Sequence, residues 1–408
     1  MMRRIVRILA FGVAASLALR LAPWPPAAGA YLSLSPLLGM LGALAVRAVT
    51  AWTLVSVAVL VLVWLRPRWF CRYLCPVGLI TESAGRLNPC ARGRFARFPM
   101  IGRWLLWLMI GGAILGYPVF IWLDPLSLFN GFVSAWRSPV SPISLALAMG
   151  IPAAVVISLL WPQAWCHRIC PLGAAQDLLI KARQGWKRSR PPPSSDRSIS
   201  SFRLDFTRRG FLGVVGGGMA ALALRRTARG RPLPIRPPGA CDAERFAGLC
   251  ARCGACIRAC PPGILKPDLG QSGWTGWLSP VVDYSDSYCF EFCNACTQVC
   301  PTGAIRRLAL ETKRNRSIGL ATVDRNRCIA WSRGRHCMAC QEFCPYLAID
   351  AVSRDGVKCP QVNADMCRGC GACQVACPIQ PVKAITVAGQ PQGTVMDLEQ
   401  FLLDQTGN

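Results

Sequence analysis

Apolar positions crowd the first 165 residues of the chain in four long runs: Ile5–Leu21, Ala48–Leu65, Trp104–Leu123 and Ile143–Trp161. Each approaches the ~20 residues that a helix needs to cross a ~30 Å hydrocarbon core. Leu37–Val46 is also apolar, but Arg47 separates it from the second run, so it reads as an interfacial or extended helix. Trp24, Trp64, Trp69, Trp122, Trp136 and Trp165 flank the runs as aromatic belts do. The pattern predicts an α-helical membrane bundle of four transmembrane helices.

Charge orients that bundle. Arg66, Arg68, Arg72, Arg86, Arg92, Arg94, Arg97 and Arg103 lie between the second and third runs against a single acid, Glu82. Arg168, Lys181, Arg183, Lys187, Arg188 and Arg190 follow the fourth, whereas the other two loops are nearly uncharged. The positive-inside rule then places both ends of the bundle on the cytoplasmic side of an inner membrane. The formal net charge of +26 becomes mostly a topology signal, and nucleic acid drops out as a partner.

Residues 185–205 form a polar linker that includes Pro191–Pro193. Thr207-Arg208-Arg209-Gly210-Phe211-Leu212 follows and resembles a twin-arginine export signal. Behind it comes Gly213–Leu224, a glycine-broken run too short for a fifth span, and then Arg225, Arg226, Arg229 and Arg231. The remainder of the chain is expected on the periplasmic side, exported already folded.

That remainder holds most of the 23 cysteines. Four quartets each close in Cys-Pro: Cys250, Cys253, Cys256, Cys260; Cys289, Cys293, Cys296, Cys300; Cys328, Cys337, Cys340, Cys344; and Cys367, Cys370, Cys373, Cys377. The first and last follow the bacterial iron–sulfur run C-x2-C-x2-C-x3-C-P, and the middle two stretch only their first gap. Zinc sites and disulfide frameworks do not require that repeated line, so four [4Fe–4S] clusters are the expected cofactors. A short loop reaches three corners of a cubane, and in two-cluster ferredoxins the fourth thiolate comes from the partner quartet. Paired in that way, the sets are Cys250, Cys253, Cys256 with Cys300; Cys289, Cys293, Cys296 with Cys260; Cys328, Cys337, Cys340 with Cys377; and Cys367, Cys370, Cys373 with Cys344. Ala304-Ile305, Ala348-Ile349 and Ala384-Ile385 recur after the quartets and lead into β-prone stretches, as two tandem ferredoxin modules of an α+β domain would.

A second motif is duplicated. Cys71 and Cys75 follow the second run, Cys166 and Cys170 the fourth, both in the form C-x3-C-P-x-G. Cysteines four apart share a face of a helical turn. Each pair can bind an ion or close a disulfide, and the two together can offer four thiolates to one metal or cluster. His167 reads as an interfacial hydrogen-bonding residue, and His336 as solvent-facing or a cluster-tuning donor; with two histidines in all, a bis-His haem is excluded. Cys90, Cys241 and Cys359 fit no pattern. Asp124 is a candidate catalytic proton acceptor for a quinol, with a helix cap before Pro125 as the competing reading.

At these motifs the chain resembles a known pair. Residues 1–180 resemble the membrane component of the ferredoxin-type quinol dehydrogenases of periplasmic nitrate reduction and methylamine utilisation. Residues 205–395 resemble the exported four-cluster partner of that system. The usual cytoplasmic cluster motifs are missing between Lys181 and Ser201, so the resemblance implies a fusion with that relay deleted. The expected organisation is a membrane domain at 1–180, a basic linker at 181–205, a signal or anchor at 206–240, ferredoxin modules at 241–310 and 311–395, and a tail at 396–408. The resemblance implies electron transfer from the quinone pool, as part of a quinol dehydrogenase of the cytoplasmic membrane, to a periplasmic redox enzyme or cytochrome. The alternative is an accessory protein supplying electrons for maturation of an exported metalloenzyme.

Overall fold

A computed structural model of the chain describes residues 2–19, 26–88, 98–135, 148–188, 208–228 and 233–394. They fall into two compact units, one of Met1–Thr227 with Ala247–Ala255 and Pro301–Ala304, the other of Ala228–Phe246, Cys256–Cys300 and Ile305–Asn408.

The first unit is helical. Local signals set where two of these helices begin or end within their apolar runs. Ala51–Leu65 opens on a reciprocal Thr50/Thr53 capping box and stops at Arg66, which turns extended before Pro67. Ile101–Ile114 ends in a turn at Gly116, where φ is 77°. Met2–Ala18 begins with Arg3, Arg4 and Arg7, and Arg7 is buried in an ion pair with Glu82. Within the last apolar run the described helix is Gly150–Leu160.

This geometry corrects the expectation of a four-span membrane bundle. Among the described residues no helix is long and apolar enough to cross a membrane. The 15 residues of Ala51–Leu65 cover roughly 22 Å at ~1.5 Å per residue, short of a ~30 Å core. The 21-residue helix Arg208–Ala228 is longer, but it carries arginines near both ends and three consecutive glycines. The assignment as a multi-pass inner-membrane protein with a periplasmic C-terminal domain falls with the spans. Those glycines serve packing instead: a Cβ at Gly217 would lie 2.2 Å from the Leu108 carbonyl oxygen, and one at Gly111 2.0 Å from that of Val214. The helices Arg208–Ala228 and Ile101–Ile114 therefore approach backbone to backbone.

The second unit carries three two-stranded antiparallel sheets. Strand β1 (Leu265–Pro267) pairs with β2 (Pro280–Val282), β3 (Arg316–Val323) with β6 (Ile385–Thr394), and β4 (Ile349–Arg354) with β5 (Val357–Val362). Asp355 and Gly356, both at positive φ, make the two-residue turn of the β4–β5 hairpin. The repeated Ala-Ile pairs mark strand starts, since Ile349 opens β4, Ile385 opens β6 and Ile305 forms an isolated bridge with Ala240. Ala348, Ile349, Met366, Ala384 and Ile385 form the core together with Cys328, Cys340, Cys367, Cys373 and Cys377.

Candidate iron–sulfur centres

Each long quartet is a loop that turns into a one-turn helix. Cys328 precedes the helix Ile329–Arg333, Cys340 lies in Ala339–Glu342, and Cys373 lies in Ala372–Ala376 with Cys377 at its end. Gly371 holds φ at 86°, and a Cβ there would stand 2.4 Å from the Tyr284 ring. Glycine meets both demands at once. Gly254, its counterpart in the first quartet, has φ 68°.

The third and fourth quartets interlock. One cavity is lined by Cys328, Cys337, Cys340 and Cys377, walled by Val323, Ile329, Ile379 and Ile385. A second is lined by Cys344, Cys367, Cys370 and Cys373, walled by Tyr346, Ile349, Val362 and Val387. Each cavity thus collects three cysteines of one quartet and the last cysteine of the other. In the second quartet, Cys289, Cys293 and Cys296 share an electrostatic environment with Cys260 of the first. Cys250 and Cys253 belong to the first unit, whereas Cys256 and Cys300 belong to the second.

The donor set suits iron–sulfur chemistry. Burial and neighbouring thiols push the Cys370 thiol up to about 12 and raise Cys296 and Cys373 well above the ordinary thiol range. Four free thiolates cannot share such a cavity, but iron offsets their charge and displaces their protons. Backbone amides already point at sulfur: Ile305 N–H donates to Cys300 Sγ and Ala348 N–H to Cys344 Sγ, each at 3.4 Å. Cys260 accepts from the amides of Gly263, Ile264 and Leu265. In the second and third quartets the Ala-Ile pair therefore presents an amide donor to the closing sulfur. Among the described residues no group of three or more His, Cys, Asp or Glu is arranged to hold a single ion.

The two inner thiol sets adjoin. Cys289 N–H donates to the Cys370 carbonyl oxygen at 2.9 Å. The buried Tyr284 donates its hydroxyl proton to Gly369 O at 2.5 Å and lies in the field of Cys289, Cys367, Cys370 and Cys373. Lys313, only 4% exposed, donates to the carbonyls of Phe290 and Glu291 and places positive charge beside Cys289. Arg368, 3% exposed, stacks over Tyr346. Sequence reading missed Tyr284, Lys313 and Arg368; the one available signal was their position within a few residues of a quartet or, for Lys313, none.

In the first unit the C-x3-C-P pairs also come together. Cys75 caps the helix Pro76–Arg86 and accepts from Gly78 N–H at 3.4 Å. Cys170 stands in the same place before Pro171–Arg188 and accepts from the Gly173 amide. His167 packs on Arg68, which forks onto Asp177 at 2.6 and 2.7 Å. Asp124 is fully buried, accepts from Ser35 Oγ at 2.6 Å and from the amides of Leu126 and Ser127, and so caps the helix Pro125–Ala135. Burial raises its carboxyl to about 6. Cys359 lies in the core, burial pushes Cys241 up to about 12, and Cys90 falls outside the described residues.

Comparison with known proteins agrees with the cysteine pattern. Residues 249–304 match a 4Fe-4S dicluster domain, and residues 48–95, 143–190, 325–347 and 360–383 match 4Fe-4S binding domains. The ferredoxin-type protein NapG of Escherichia coli is 35% identical over 183 residues, 40% of this chain and 78% of that one. The ferredoxin-type protein NapF of Escherichia coli is 33% identical over 153 residues, 37% of this chain and 83% of its own. The methylamine utilization ferredoxin-type protein MauM of Methylorubrum extorquens is 29% identical over 174 residues, 39% of this chain and 77% of its own. No solved structure matches.

Proposed function

Because the chain belongs to the family of 4Fe–4S ferredoxin-type proteins, we propose that it passes single electrons along four [4Fe–4S] clusters to a partner redox enzyme. The carrying observation is the interlocked pair of cavities, where Cys344 joins Cys367, Cys370 and Cys373 while Cys377 joins Cys328, Cys337 and Cys340. The same crossed rule assigns Cys260 to Cys289, Cys293 and Cys296.

The chain's own groups would hold the clusters and shape their potentials. Clusters of this kind supply one-electron exchange, at potentials set by burial, charge and hydrogen bonds to sulfur. The hydrogen bond between Cys289 and Cys370 brings the sets containing these two cysteines next to each other. The donor in this reading is a quinol. Asp124 is the group assigned to take its proton, supported by an acid range brought close to neutral.

The test is an anaerobic preparation of the full chain, mixed with a reduced water-soluble quinol and followed by absorbance and EPR. Cluster reduction, then reoxidation by a partner reductase, is the expected result. Clusters that dithionite reduces but no quinol does would remove the donor assignment. A chain without [4Fe–4S] signals would remove the function.

A further inference from the structure

The first gap of the third quartet is the longest of the four: eight residues separate Cys328 from Cys337, where two separate Cys250 from Cys253 and Cys367 from Cys370. A cubane does not require the extra residues, since the short gap already spaces the thiolates of the first and last quartets. The fold nevertheless gives the insert a defined shape. Ile329–Arg333 is a short helix that ends at Gly334, where φ is 58°. Ser332 Oγ donates back to the Cys328 carbonyl oxygen at 2.8 Å. Trp331, half-buried, pins the turn to strand β5 by donating Nε1–H to Pro360 O at 3.0 Å. The guanidinium groups of Arg325 and Arg354 lie over the same indole, 4.4 and 5.6 Å from its centroid.

The insert and its approach carry charge of one sign. Arg325, Arg327, Arg333 and Arg335 occur between 325 and 337 with no acid among them, and all four are exposed, as is His336. At the margin Asp324 offsets Arg327 at 3.3 Å and Asp355 offsets Arg354 at 3.8 Å. Arg333 and Arg335 flank Gly334, where an added Cβ would meet nothing within 4 Å. The basic stretch is joined at both ends to one thiol set, because Cys328 and Cys337 line the cavity that they share with Cys340 and Cys377. Cys337 is itself only half-buried.

We infer that the insert between Cys328 and Cys337 is the docking face for an acidic redox protein. The inference rests on the electron-transfer reading and adds to it the place of exchange and the charge of the partner. Exposed arginines draw in an acidic surface and repel a basic one, and they act on the rate of encounter more than on its lifetime. Redox encounters bury little area, so a small charged face suits them better than a broad apolar one. Electron exchange falls steeply with distance, and this face seats the partner beside two thiols of one set. The exchange moves one electron from the reduced chain to the partner's oxidised cofactor and makes or breaks no bond.

The test measures binding of the full chain, purified anaerobically, to two immobilised probes: cytochrome b5, an acidic haem protein, and cytochrome c, a basic one. At about 20 mM salt the chain should bind the first and not the second, and about 200 mM salt should weaken that binding roughly tenfold. Arg333→Gln with Arg335→Gln should weaken it roughly tenfold at low salt, with iron content and EPR signals unchanged. Arg333→Lys with Arg335→Lys keeps the charge and should keep the binding. Arg306→Gln with Arg307→Gln removes the same charge from an exposed pair after the second quartet and should change binding less than about twofold. No binding to cytochrome b5 by the wild type, equal weakening in the two glutamine variants, or an effect of Arg333 and Arg335 on binding to phosphatidylglycerol vesicles alone would each overturn the proposal. Absence of [4Fe–4S] signals from a wild type that still binds in this pattern would instead count against the electron-transfer reading alone.

Discussion

The backbone amide of Cys289 donates to the carbonyl oxygen of Cys370 at 2.9 Å. These residues are 81 positions apart, counting from 289 to 370, and belong to the second and fourth quartets. The bond ties together the loops that carry the two inner thiol sets, and Tyr284 reinforces it through Gly369 O.

The crossed cavities yield a sharp outcome for single substitutions. Cys344→Ser should expose Cys367, Cys370 and Cys373 to alkylation while Cys328, Cys337 and Cys340 stay protected. Cys377→Ser should give the reverse. Peptide mass spectrometry after thiol labelling reads both, and local loss within the mutated quartet would contradict the crossed arrangement.

Gly371→Ala should cost one cluster. A positive φ of 86° disfavours alanine by ~1 kcal/mol, and its Cβ would collide with the Tyr284 ring at 2.4 Å. Iron content should fall by about four atoms per chain. Gly334→Ala, where a Cβ meets nothing within 4 Å, is the comparison with a similar φ of 58° and no collision.

Lys313→Gln should lower the potential of the cluster assigned to Cys289. The buried ammonium favours the more negative, reduced state, so its removal should shift the potential down on the order of tens of millivolts. A spectroscopic redox titration measures it, with the other clusters as internal references.

Asp124 sets a pH dependence of stability. Its folded acid range is raised from 3.8 to about 6, so the folded state holds the proton more tightly than the unfolded chain. That stabilisation is complete below the unfolded value and is lost as pH rises through about 6. Wild type should therefore lose about 1 kcal/mol relative to Asp124→Asn between pH 5 and 7.5, measured by chemical denaturation. Quinol turnover in the same variant tests the proton-acceptor role.

The cysteine code was legible because three ligands of each cluster lie within a short loop whose spacing is set by the cubane. Cys250 and Cys367 open quartets of identical spacing, and the Cys-Pro closures and Ala-Ile repeats mark the strand starts at Ile349 and Ile385. The apolar runs were misread because hydropathy counts side chains and not helix stops. Thr50 starts one helix inside its run, Gly116 ends another, and Gly216 and Gly217 pack against Leu108.

The sequence by itself determined the donor chemistry, the fourfold repeat and the duplicated C-x3-C-P-x-G motif, since these depend on residue type at short range. Only the tertiary structure decided that Cys71, Cys75, Cys166 and Cys170 lie near one another and that Tyr284 and Lys313 stand beside the inner thiols. Those relations join residues tens of positions apart, and chain spacing carries no information about contacts that arise only when separate loops pack.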